Sequence, residues 1–165
     1  MSTWRNKAKF CRFLDQAVNN GRLGLVDDIF AEDFVGYFPE WSGPQQGRVS
    51  VKAWVEVLRC GFANVNAVVE GNWMAGEVDF HHVGKGVKAD RLAAYVVLRA
   101  THTGEYLGLE PTNERVEVPQ VHLLQFREGQ VIQDVVITDR LALLPEDEDR
   151  TASSLLTARR PAVLI

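Results

Sequence analysis

Apolar positions in the first third of the chain recur at helical spacing. Trp4, Ala8, Cys11, Leu14 and Val18 fall on one face of a helix across residues 3–19, with Phe10 and Ala17 beside them. Asn19-Asn20-Gly21 predicts its end, because glycine readily takes the left-handed conformation that closes a helix. A second, shorter helix is predicted across residues 23–31. Glu32 to Phe38 alternate briefly, which predicts a short strand stopped by Pro39. Residues 41–47, rich in Ser, Gly, Pro and Gln, read as a loop. Ser50 is the predicted N-cap of a third helix whose apolar face is Val51, Trp54, Val55, Leu58 and Phe62. From residue 65 the period shortens to that of strands. Four stretches rich in Val, Leu and aromatics follow, at 65–75, 90–102, 114–126 and 131–138. Turn signals at Gly84 and Gly86, from Gly104 to Asn113, and at Gly129 separate them. Strands and helices do not alternate, so a parallel sheet is not expected. The prediction is an α+β fold in which three N-terminal helices close one side of a curved antiparallel sheet.

Composition narrows the class. The chain has 165 residues, 46% of them apolar and 24% charged, which suits one globular domain with a full core. Residues 1–144 are read as that domain, and residues 145–165 as an acidic break, Pro145 to Arg150, followed by a tail. The net charge of −4, without a basic stripe, argues against nucleic acid as a partner. No apolar run approaches the roughly 20 residues of a membrane span, and the amphipathic N-terminus lacks a signal-peptide block, so a cytoplasmic location is expected. Cys11 and Cys60 are read as small core residues on helices in a reducing compartment. His81-His82 lacks a second ligand pair at metal spacing, and Gly84-Lys85-Gly86 is too short to cradle phosphate. No metal or cofactor is predicted.

Strand alternation picks out the candidate chemistry. In 114–126 one face carries Val116, Val118, Gln120, His122, Leu124 and Phe126. Gln120 and His122 interrupt a face that is otherwise apolar, as the polar groups of a small-molecule cavity do. The hairpin at Gly129 decides what faces them. A three-residue loop sets His122 opposite Asp134 and Gln120 opposite Val136. A two-residue loop sets His122 opposite Val135, with Asp139 further along on the same side. The three-residue register is favoured, so Asp134 is the leading carboxylate and Asp139 the second. An Asp in an apolar cavity has its ionised form disfavoured, and its pKa moves towards the range useful for proton transfer. Taken alone, His122 fits a satisfied core histidine and Asp134 a solvated strand residue. Tyr37 and Trp41 stand where a pocket mouth could lie, or fill core and anchor a loop. His102 ends its strand at the rim loop or caps its turn. Asp90 and Arg91 read as a solvated pair opening a strand.

Three segments carry a family resemblance: Ala100 to Val118, which includes Thr-His-Thr-Gly and a later Pro-Thr, Val121 to Ile132 with its Phe-x-x-Gly hairpin, and Thr138 to Leu144. With Asp27 to Phe38, they resemble the SnoaL-like polyketide cyclases and ester cyclases of the nuclear transport factor 2-like superfamily, across residues 25–144. The resemblance implies a cone-shaped α+β fold and a cofactor-independent aldol-type ring closure, in which an Asp acts as acid and base beside a His. It also implies a homodimer that pairs through its sheet. His122 matches the family His. The family Asp falls at Val136, two residues after Asp134 and on the same face. Asp139 matches a terminal Asp, and Tyr37 stands where many relatives have His. The family also holds hydroxylases, isomerases and rearrangement enzymes. The expected function is acid–base catalysis on a polyketide-like carbonyl compound in an apolar pocket, with Asp134, His122 and Asp139 as catalytic candidates. Tyr37, Gln120, Trp41 and His102 would hold substrate. Two other readings stand beside it: a non-catalytic ligand-binding or dimerisation module, and a hydrolase or hydratase using an Asp-activated water.

Overall fold

The computed structural model describes residues 3–77 and 90–144. Helix α1 (Thr3–Arg12) runs on through a wider π-helical segment, Phe13–Asn19. Its buried side is Asn6, Phe10, Phe13, Leu14, Ala17 and Val18. The predicted face is therefore corrected in its first two turns: Trp4 is 74% exposed, and Ala8 and Cys11 also face solvent. The cause is Asn6, a polar residue in an inward slot. Its amide donates to Asp90 Oδ2 at 2.9 Å, which satisfies part of a group that apolar spacing does not count and removes Asp90 from the solvated pair predicted for it.

A 3₁₀ turn at Leu23–Leu25 leads into α2 (Val26–Ile29), and α3 spans Gly47–Gly61. Val51, Trp54, Val55 and Leu58 face inward as predicted, but Gly61 takes the last inward slot, because the helix ends before Phe62. Ser50 lies inside the first turn, where its hydroxyl donates to the Gly47 carbonyl at 2.8 Å, so Gln46 is the N-cap instead. Cys60 is exposed because Leu58 and Gly61 take the inward slots around it.

The strands are β1 (Phe30–Tyr37), β2 (Gln45–Gln46), β3 (Phe62–Glu77), β4 (Asp90–His102), β5 (Arg115–Arg127) and β6 (Gln130–Thr138). They form one sheet in the order β2-β1-β6-β5-β4-β3. Every pairing is antiparallel except β1–β6, which is parallel and corrects the all-antiparallel expectation. No hairpin joins these two strands, so no turn dictates their relative direction. Two register shifts in β3, with Asn64 and Gly71 at positive φ, bend the edge strand. Asn19 clips that strand by accepting from the Ala67 N–H at 2.6 Å and donating to its carbonyl at 3.1 Å. The helices pack on the inner face of the curved sheet, and Trp54, Phe10, Phe13, Phe30 and Phe34 fill the space between at no more than 1% exposure. The predicted turn at Gly84–Gly86, the His81-His82 pair, and the break and tail at 145–165 lie outside the described residues.

Candidate functional site

The β5–β6 hairpin sets the site. Glu128 and Gly129 both have positive φ, 52° and 80°, so the loop has two residues, and the favoured three-residue loop is corrected. Left regular, that register would turn Asp134 to the outer face. A bulge restores it: Arg127 pairs with Gln130 and Phe126 with Val131, but Gln125 pairs with Gln133, which leaves Ile132 as an extra residue. Beyond the bulge His122 lies opposite Val136, Asp134 opposite Leu124, and Gln120 opposite Thr138. His122 and Asp134 are therefore diagonal neighbours on the inner face, not directly opposed residues.

They are bonded to each other. His122 Nδ1 lies 2.9 Å from Asp134 Oδ2, with the side chains 0% and 2% exposed. The His122 ring is clamped between Phe10, at a centroid distance of 5.1 Å, and Trp54, at 5.9 Å and nearly perpendicular. His122 Nε2 and Asp134 Oδ1 have no hydrogen-bond partner among the described residues. Buried polar atoms are usually hydrogen-bonded, so two adjacent exceptions on a paired His and Asp stand out. Across the parallel ladder from Asp134 stands Gly36, whose missing side chain leaves room for the Phe38 and Phe34 rings. A Cβ there would lie 2.4 Å from the Phe38 ring and 2.9 Å from that of Phe34. Gln120 is also buried on this face and donates to Thr138 Oγ1 at 3.3 Å.

A second polar group faces the same interior. Glu40, in the loop after β1, accepts at Oε1 from Trp54 Nε1, 3.1 Å away, and from the Tyr106 hydroxyl. Its Oε2 is buried without a partner among the described residues. Burial pushes the Glu40 carboxyl above its ordinary value, against the opposing pull of the Tyr106 and Trp54 hydrogen bonds and of nearby His122. Burial, and then the Glu40 charge, push the Tyr106 phenol far above its ordinary value. Tyr106 reaches this point because the 103–114 loop docks on the end of α3. Thr103 and Gly104 both donate backbone N–H groups to the Gly61 carbonyl at 3.0 Å. A Cβ on Gly104 would sit 2.3 Å from the Cys60 carbonyl oxygen. A tight turn with Leu107 and Gly108 at positive φ then returns the chain.

Neither Glu40 nor Tyr106 was among the sequence candidates. The available signals were an acid set among the aromatics of Tyr37-Phe38-Pro39-Glu40-Trp41 and a single Tyr between two loop glycines.

The other candidates lie elsewhere. Asp139 is exposed and caps the 3₁₀ turn Arg140–Leu143 by accepting from the Leu141 N–H at 3.0 Å, so it is a structural cap outside the interior. Tyr37 is 41% exposed on the outer face of β1, because its neighbour Phe38 takes the inward place. Trp41 packs edge-on against Phe38 at 5.9 Å. His102 is fully buried rather than at a rim, with its ring 5.3 Å from that of Phe62 and its Nδ1 3.5 Å from Thr112 Oγ1. Burial lowers its pKa. A groove of about 520 Å³ runs over Ala93, Leu123, Gln125 and Val135, on the face of the sheet opposite His122, and neither His122 nor Asp134 lines it. Among the described residues no three His, Cys, Asp or Glu side chains gather as metal ligands, and no helix is long and apolar enough to cross a membrane.

Comparison with known proteins gives the family and the fold. The family model for SnoaL-like polyketide cyclase matches residues 8–146. The chain is 30% identical over 115 residues to nogalonic acid methyl ester cyclase of Streptomyces nogalater, covering 70% of this chain and 77% of that one. It is 27% identical over 124 residues to aklanonic acid methyl ester cyclase AcmA of Streptomyces galilaeus, covering 73% and 75%. A proposed SnoaL-like polyketide cyclase from Jannaschia sp. CCS1 shares the fold, with a TM-score of 0.65 at 24% identity over 87% of this chain and 95% of that one.

Proposed function

The chain belongs to the SnoaL-like polyketide cyclase family, and from that premise we propose that it is a cofactor-independent acid–base enzyme acting on a polyketide-like carbonyl compound. The observation that carries this reading is the buried His122 Nδ1–Asp134 Oδ2 pair at 2.9 Å, with one unpartnered atom left on each residue. Two relatives are named as cyclases of the methyl esters of nogalonic and aklanonic acid, so a ring closure on such an ester is the leading reaction.

In this reading Asp134 Oδ1 removes a proton from a carbon between carbonyl groups. The electron pair released attacks a second carbonyl carbon and closes the ring. His122 keeps its proton on Nδ1, donates it to Asp134 Oδ2, and fixes the carboxylate in place. Its Nε2, like Asp134 Oδ1, is buried. Gln120 lies two residues along the same face and supplies an amide for a substrate oxygen. Phe10 and Trp54 pack on the His122 ring, so substrate access requires a change in this packing. Residues 1–144 are read as one domain.

The test is Asp134→Asn. A carboxyl-to-amide change keeps the shape and removes the base. Turnover of aklanonic or nogalonic acid methyl ester is expected to fall about 10²–10⁴-fold, the usual worth of a positioned acid–base group, at an unchanged melting temperature. Wild-type turnover by this variant would sink the assignment.

A further inference from the structure

We infer that Glu40 is a second catalytic acid of this site, presenting Oε2 to a substrate oxygen across Trp54 from the His122–Asp134 pair; the inference deepens the acid–base reading and rests on it. Glu40 Oε1 is spoken for, since Trp54 Nε1–H and the Tyr106 hydroxyl both donate to it. These two donors come from α3 and from the 103–114 loop, so the carboxyl is held from two directions and its orientation is fixed. Oε2 is left buried and, among the described residues, without a partner. A group that only tied the two elements together would need one acceptor oxygen, which an amide supplies equally well. A carboxyl adds a second oxygen that can carry a proton. Trp54 links the two halves of the site: its ring N–H holds Glu40, and its ring meets His122 nearly at right angles at 5.9 Å. The titratable groups around Glu40 are Tyr106 on the loop and His122 on β5, the latter bonded to Asp134 on β6. Burial favours the protonated carboxyl, which suits a donor.

The step balances with both groups in place. The substrate C–H bond breaks and its proton passes to Asp134 Oδ1. The electron pair forms the new C–C bond at the acceptor carbonyl carbon. The oxygen of that carbonyl takes the Glu40 Oε2 proton and becomes a hydroxyl. Asp134 ends with a proton and Glu40 without one, and exchange with water resets both. A donor aimed at the oxygen where charge develops lowers the barrier of the addition step.

The experiment combines a titration with a variant. In protein labelled with ¹³C at the glutamate side-chain carboxyls, one signal is expected to titrate above the ordinary value near 4.5 and to vanish in Glu40→Gln. It should persist in Asp134→Asn. Adding 1,8-dihydroxyanthraquinone, a planar hydroxyketone, should move that signal. Glu40→Gln is expected to lower kcat on aklanonic acid methyl ester about 100-fold or more, with little change in KM. Its pH profile should lose the limb where the acid must be protonated. If no glutamate titrates high, or the probe leaves the Glu40 signal unmoved, or Glu40→Gln keeps wild-type kcat, the inference is overturned. The two readings separate cleanly. A dead Asp134→Asn beside a fully active Glu40→Gln removes Glu40 alone. A fully active Asp134→Asn beside a dead Glu40→Gln removes Asp134 as base and leaves Glu40 as acid.

Discussion

His122 is held by one carboxylate and two aromatic rings, and each neighbour constrains it differently. Asp134 fixes its Nδ1 at 2.9 Å, while Phe10 and Trp54 fix the plane of the ring. Replacing it by Phe keeps the bulk and removes the one hydrogen-bond partner that Asp134 has among the described residues. A buried polar group left unsatisfied costs about 1–3 kcal/mol, so His122→Phe should lower the melting temperature by several degrees in a thermal scan. A variant as stable as the wild type would mean that the pair is solvated and not buried. His102 yields a pH prediction. Burial lowers its folded pKa below the ordinary 6.5, so its contribution to stability is complete above that pH. Below it the unfolded chain takes up a proton that the folded chain refuses, and stability falls. His102→Gln should therefore flatten the acid limb of a melting-temperature profile below about pH 6.5. His122, Asp134 and Gln120 were legible in the sequence because a long strand alternates reliably, and polar residues on its apolar face are conspicuous. Glu40 and Tyr106 were not, because both sit in loops, where no period says which way a side chain points.

Elements explain why a correct pair came from an incorrect register. The two-residue turn at Glu128-Gly129 would have sent Asp134 outward, and the Ile132 bulge turned it back. Shifting by one residue flips every side chain, and the two departures from the expected hairpin cancel. Nothing in the composition around Ile132 marks a bulge, so periodicity could identify the face but not the partner. The same limit applies to β1, whose parallel seat beside β6 is decided by packing and not by any turn. Strands β3 to β6 were legible because apolar alternation and glycine turns bound them. The 103–114 loop can be tested as a unit through Gly104. Its absent Cβ lets the chain lie against the Cys60 carbonyl, where an added methyl would meet oxygen at 2.3 Å. Overpacking of this kind costs about 1–3 kcal/mol. Gly104→Ala should lose that much in denaturant unfolding and should raise amide exchange at Tyr106. An unchanged exchange rate would show that the loop is not anchored there.

At the scale of the whole molecule, the sheet has two unlike faces. The inner face holds the polar pair and the aromatic core. The outer face leaves Tyr95, Leu123 and Ile137 exposed at 36%, 43% and 56%, beside Val121 and Val135. Apolar side chains adjacent on one open sheet face favour association, and we expect a homodimer through this surface. The double change Leu123→Asp with Ile137→Asp should give a monomer in analytical ultracentrifugation with its interior intact. A wild-type protein that sediments as a monomer at all concentrations would remove the expectation. The net charge was legible from composition and the α+β layout from element order, whereas the cone shape was what the family resemblance implied. The closure of the interior was not legible, because it depends on Phe10 of α1 and Trp54 of α3 meeting at the His122 ring and on Phe38, in the loop after β1, stacking on Trp54. The account as a whole rests on that interior being a reaction site, and one measurement bears on it most directly: the rate at which wild type and Asp134→Asn convert aklanonic acid methyl ester, with both melting curves in hand. The prediction is conversion by the wild type and a loss of about 10²–10⁴-fold in an equally stable variant. Equal rates in the two proteins would contradict it.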